Sequence, residues 1–209
     1  MHINGIDAEW LDPDAVFNRV PILNRGPQAR YPVHGAILQP RGATARHDAV
    51  AWGYARAASG AGVHILQNCA VTDILIERGR CVGVRSTLGE IRADRVGMAV
   101  AGASPAMAAL AGFRLPITAY ALQACVSQSG KGEIVIGGAL DRVPSHGQRG
   151  NLPVLSQVVS GLLEMFPDFR QLRLLRQWAG TVDVTPDSSP IIGPSPLPGL
   201  FLNCGWGPA

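Results

Sequence analysis

Apolar positions along the chain change their spacing several times, and each change marks an element. Asp12-Pro13-Asp14 followed by Ala15, Val16 and Val20 predicts a short helix. Asp12 suits its N-cap, Pro13 its first helical position, and Pro21 stops it. Residues 24–44 are rich in Gly, Pro and Arg and read as loop around a short strand, Ala36-Ile37-Leu38. Residues 47–59 predict the first long helix. Its alanines and Val50 form a small-residue surface suited to close approach by a sheet or a cofactor, Trp52 and Tyr54 add bulk, and Gly60 suits the C′ position. Strand patterns follow at 63–66, 70–76, 81–87 and 90–94. The turns Glu77-Arg78-Gly79-Arg80 and Leu88-Gly89 make the later ones an antiparallel meander. Residues 96–100 form an apolar run into Ala101-Gly102-Ala103-Ser104, the pattern of a buried strand entering a tight turn and a helix.

Residues 115–141 are strand-like again, with Gly130-Lys131-Gly132 as a hairpin turn. In 154–166, Val154, Leu155, Val158, Val159, Leu162, Leu163 and Phe166 step by three and four, a second amphipathic helix that Pro167 ends. A strand at 173–184 carries Trp178, 185–190 is a turn, and Leu200–Cys204 is a last strand running into Gly205-Trp206-Gly207. Strands and helices in this order predict an α+β fold.

Composition narrows the picture. The chain is 47% hydrophobic and 16% charged, which is the balance of a folded protein. Aromatic residues are only 6%, so the core is built from Ala, Val, Leu and Ile. A net charge of +3 from scattered basic residues, only one of them a lysine (Lys131), excludes a nucleic-acid stripe. No apolar run is long enough to span a bilayer, and the N-terminus has neither a basic nor an apolar signal region. Cys69, Cys81, Cys125 and Cys204 lack metal-type or CxxC spacing and read as buried free thiols, which fits a reducing cytoplasm. The five histidines form no metal-binding pair. Neither a nucleophile elbow, a P-loop nor a GxGxxG occurs. Two Gly-rich strand ends remain, 101–104 and 205–207. Small residues there let backbone N–H groups approach a phosphate or ribose, although each also reads as a simple turn.

Four blocks resemble the beta subunits of heterotetrameric sarcosine oxidases, within the D-amino-acid-oxidase-like FAD-dependent oxidoreductases. They are residues 4–11 and 41–56, Arg176-Gln177-Trp178-Ala179-Gly180 with Asp183 and Thr185-Pro186-Asp187, and Asn203-Cys204-Gly205-Trp206-Gly207. The resemblance implies noncovalent FAD and a covalent FMN on a histidine of the Thr44-Ala45-Arg46-His47-Asp48 block. That histidine is His47, with Arg46 beside it to stabilise negative charge on FMN. It implies that Val71 meets the FAD adenine through its backbone, that Gly102 lies near the ribose and pyrophosphate, and that Gly205 and Gly207 approach the isoalloxazine. Trp178 suits the flavin and simple packing equally.

The implied fold is a partial Rossmann-like FAD-binding layer with an antiparallel meander, beside a mixed or antiparallel substrate-domain sheet covered by helices. The implied domains are 1–110, 111–184 and a return to the FAD domain at 185–209. The implied reaction is oxidative demethylation of sarcosine to glycine, in a cytoplasmic complex with alpha, gamma and delta subunits. A non-catalytic remnant and a related amino-acid dehydrogenase subunit are the alternatives. Against the family pattern, the chain begins after the GxGxxG unit and stops before the segment carrying a flavin- and substrate-facing lysine, so no catalytic residue is assigned within it. An internal deletion is expected near 122–129.

Overall fold

The structure, a computed structural model, describes residues 2–126, 132 and 134–207. The expected Gly130-Lys131-Gly132 turn lies, except for Gly132, outside the described residues. The fold is α+β, and the chain divides into two compact units, Met1–Gln67 with Val159–Leu172 and Asn68–Val158 with Arg173–Ala209.

In the first unit, β1 (Glu9–Leu11) pairs antiparallel with β2 (Ala36–Leu38), Trp10 opposite Ile37. Helix α1 (Pro13–Arg19) starts as the sequence predicts: Asp12 Oδ1 accepts the Ala15 N–H at 2.8 Å, and Val16 is the buried residue. Helix α2 (His47–Gly60) runs one residue longer than predicted. Gly60 is inside it. The left-handed cap residue is Gly62, with φ +88°. Gly62 N–H donates to Ser59 O and Val63 N–H to Ala58 O, both at 3.0 Å, which is a Schellman ending. The predicted strand at 63–66 is not formed: its first N–H is spent on that cap, no strand pairs with it, and Val63, Ile65 and Leu66 are exposed.

Among its described residues the second unit holds three small sheets. The meander is β3 (Val71–Glu77), β4 (Arg80–Ser86) and β5 (Gly89–Arg92), antiparallel in that order. Strand β6 (Val96–Met98) leads through a 3-10 turn (Ala101–Ala103) into α3 (Ser104–Leu110), as the apolar run predicts. The next sheet is antiparallel, with β7 (Thr118–Val126) between β8 (Val135–Leu140) and β9 (Trp178–Val184). Residues 173–177 do not join β9, which starts at Trp178. The third sheet adds β10 (Ile191–Pro194), which the Pro- and Gly-rich sequence conceals. It pairs antiparallel with β11 (Leu200–Cys204), and β11 pairs parallel with β6. Ile74, Cys81, Met98, Ala108, Ile117, Leu200 and Cys204 close the core among these elements.

Helix α4 spans Leu152–Met165. At its start, Asn151 Oδ1 accepts the Val154 N–H at 3.0 Å. At its end, the Asn24 N–H and side-chain amide donate to Met165 O and Glu164 O, satisfying carbonyls that the helix leaves unpaired.

Candidate functional site

His47 is the first residue of α2 and is exposed, and its imidazole has no hydrogen bond among the described residues. Arg46 precedes it at the N-cap without capping. Its guanidinium is held by Asp48, through Nη2 to Oδ2 at 2.7 Å and Nε to Oδ1 at 3.3 Å. That pairing, with a further hydrogen bond from the Ala49 N–H, lowers the Asp48 carboxyl to about 2 and pushes the Arg46 guanidinium up. The helix N-terminus and Arg46 together favour an anion beside His47, while Asp48 competes for the same guanidinium. No residue of α2 is buried, and Trp52 and Tyr54 are 62% and 77% exposed. The small-residue surface is largely exposed, with only Ala55 and Ala58 half-buried.

The other four predicted residues belong to the second unit. Val71 opens β3, which is an edge strand of its sheet, opposite Ser86. An edge strand offers unpaired backbone N–H and C=O groups, the requirement for meeting an adenine edge. Gly102 is buried in the turn before α3. A Cβ there would overlap Thr181 Cγ2 on β9 and lie 3.2 Å from Thr181 Cβ. Glycine at this position is thus required by close approach of β9. The Gly102 carbonyl also contacts His146 Nε2 at 3.0 Å.

Gly205 and Gly207 have φ of +74° and +56°, which L side chains rarely adopt. A Cβ on Gly205 would lie 2.7 Å from Thr185 Cγ2. The Gly205 N–H donates to Asp183 Oδ2, and Asp183 is only 5% exposed. Trp206 lies outward, its indole donating to Asn203 Oδ1 at 2.7 Å. Gly102, through Thr181, and Gly205, through Asp183, are therefore set against one strand, β9. His47 and Arg46 sit in the first unit.

Sequence reasoning gave no role of its own to two features. The first is Asp183 itself, a carboxylate at an inward position of β9. The signal available was an acidic residue in register with buried Ala179 along an alternating strand. The second is a polar network under the β7 sheet. Gln123, 1% exposed, accepts from the Asn151 N–H at 2.9 Å and the Gln177 amide at 3.1 Å, while Asn151 donates to Asp141 at 2.8 Å. Nothing local in the sequence joins these four residues.

Cys81, Cys125 and Cys204 are buried free thiols as predicted, whereas Cys69 is only partly buried, in the loop before β3. Burial pushes the Cys125 and Cys204 thiols up. Among the described residues there is no metal-ligating cluster, and no helix is long and apolar enough to cross a membrane.

The chain belongs to the FAD-dependent oxidoreductase family, whose model matches residues 1–209. Within that class it is similar to sarcosine oxidase subunit beta. It is 46% identical to that of Rhodobacter capsulatus and 44% identical to that of an Arthrobacter species, over 99% and 98% of this chain. The chain spans about half the length of these curated relatives, 55% and 56%. Their alignments run over 228 and 225 positions, more than the 209 of this chain. The L-proline dehydrogenase of P. horikoshii shares the fold, with a TM-score of 0.84 over 97% of this chain and 60% of its own, at 24% identity.

Proposed function

We propose that this chain is part of the beta subunit of a flavin-dependent sarcosine-oxidising enzyme that converts sarcosine oxidatively to glycine. The observation that carries this reading is 43–46% identity over almost the whole chain to three sarcosine oxidase beta subunits. Bound flavin would supply the redox chemistry, FAD as the acceptor of electrons from the amine and FMN, held at His47, as their route to oxygen.

The chain's own residues bind and orient. His47 is the FMN attachment residue: its exposed imidazole, free of hydrogen bonds among the described residues, is available as a nucleophile toward an oxidised flavin. Arg46 and the α2 N-terminus favour the negative charge of the flavin and its phosphate. Val71 offers edge-strand backbone to the adenine of FAD, Gly102 lies toward its ribose and pyrophosphate, and Gly205 and Gly207 shape the loop toward the ring. The partners are alpha, gamma and delta subunits in the cytoplasm, and the substrate is a small amine. The exposed Trp52 and Tyr54 on α2 suit coverage by further polypeptide.

The second reading, a remnant keeping only fold or interface, is favoured by one observation. The first unit buries a single hydrophobic residue, Val16, among its described residues. Peptide mapping of the complete enzyme by mass spectrometry separates the two. A flavin-bearing peptide containing His47, lost in His47→Ala while noncovalent FAD remains, supports the enzyme reading. A covalent flavin that persists in that variant or maps elsewhere removes His47 from its role. Absence of any flavin from the complete complex favours the remnant.

A further inference from the structure

Asp183 lies on β9 facing inward, opposite Ala119 of β7, and is 5% exposed. Its Oδ2 accepts the N–H of Gly205, the first residue after β11. None of the ion pairs among the described residues includes it; all five join exposed side chains elsewhere. A buried carboxylate without a cation is costly unless hydrogen bonds hold it. Here the bond goes to a turn that needs holding. Gly205 and Gly207 are both in the left-handed region, and Trp206 between them is 54% exposed, so little packing fixes the turn from outside. From inside, Thr185 is 3% exposed and donates to Ser189 O at 3.0 Å, leaving its methyl beneath Gly205. Of these groups, only Asp183 reaches the turn with a charge-assisted hydrogen bond, the stronger kind.

We propose that Asp183 is the positioning residue of the Gly205–Gly207 turn, holding it through the Gly205 N–H. This rests on the reading of that turn as the one facing the flavin ring. Asp183 touches neither flavin nor substrate. It acts by fixing the backbone at Gly205, which has no side chain of its own; the turn's one side chain, Trp206, is tied outward to Asn203. The carboxylate also keeps the Gly205 N–H turned inward, so only the later part of the turn is free to face a ligand.

The test is hydrogen–deuterium exchange with residue-level fragmentation on the full-length protein, comparing the parent with Asp183→Asn and Asp183→Ala. Asparagine keeps an acceptor oxygen and loses the charge; alanine loses both. Asp183→Ala is expected to speed exchange at Gly205 about tenfold or more, the effect of losing a hydrogen bond to a charged group. Asp183→Asn is expected to restore most of that protection, and amides of the β3–β5 meander report that each variant is folded. Equal protection of Gly205 in the parent and Asp183→Ala overturns the proposal. Should the alanine variant not fold, Asp183→Leu, of similar shape but without an acceptor, is read in its place: faster Gly205 exchange with an unchanged meander supports the proposal, and unchanged exchange overturns it. The visible spectrum of the flavin-loaded protein is read in the same variants. Loss of Gly205 protection with a shifted flavin spectrum supports both the positioning role and the flavin-facing loop. Loss of protection with an unchanged spectrum keeps the positioning role and refutes the flavin-facing reading.

Discussion

Gly102→Ala tests why a glycine occupies the turn before α3. The added Cβ would overlap Thr181 Cγ2 and stand 3.2 Å from Thr181 Cβ, and both partners lie in packed structure: Gly102 is buried and Thr181 sits mid-strand on β9. Either β9 or the turn must move. Overpacking of this kind costs about 2 kcal/mol, or roughly 8 °C in Tm for a unit of this size. The obstacle is a single methyl group, so Thr181→Ser removes it. Alone, that change deletes one partly buried methyl and costs about 0.8 kcal/mol or less. The double variant should therefore be more stable than Gly102→Ala, with a coupling of about 1 kcal/mol or more. Thermal or urea unfolding followed by circular dichroism measures all four proteins. The reasoning is refuted when Gly102→Ala melts with the parent, or when Thr181→Ser lowers stability equally in both backgrounds. In the complete enzyme the same pair separates packing from cofactor approach. A double variant that regains stability but not FAD affinity assigns Gly102 to the nucleotide as well.

Asn151→Ala removes the cap from Val154 N–H and the bond to Asp141, and should lower stability by about 1–2 kcal/mol in urea unfolding; no change would show that the network is idle. Asp48 should titrate near 2 by carboxyl NMR, below its ordinary 3.8. Because the folded value is the lower one, its contribution is present above 3.8 and is lost as pH falls toward 2. Molar salt should weaken the pair, and an ordinary titration in low salt would refute it. With a chromogenic disulfide reagent, Cys69 should react first in the native chain, and Cys81, Cys125 and Cys204 only on unfolding; early modification of Cys204 would contradict its burial.

Much of the local structure was legible because its causes are local. Asp12 before Pro13, the two meander turns and the three-four spacing of 154–166 act within a few residues, and each produced its element. The misreadings arose where a local pattern needed a distant partner. Residues 63–66 have a strand's composition but no neighbour to pair with, and the Schellman cap takes the Val63 N–H first. The reverse holds for β10, whose proline and glycines argue against a strand until β11 provides its ladder. The blocks around His47 and Gly205 mark the family in sequence, because family likeness is written in residue identity. Which groups hold those residues is not. Thr181 crowding Gly102, Asp183 beneath Gly205, and Gln123 joining Asn151 to Gln177 bring together positions separated by 22 to 79 residues. Only the pairing of β7 with β9 and the return of β11 beside β6 brings such positions into contact, since register across a sheet is a property of the fold and of no single segment.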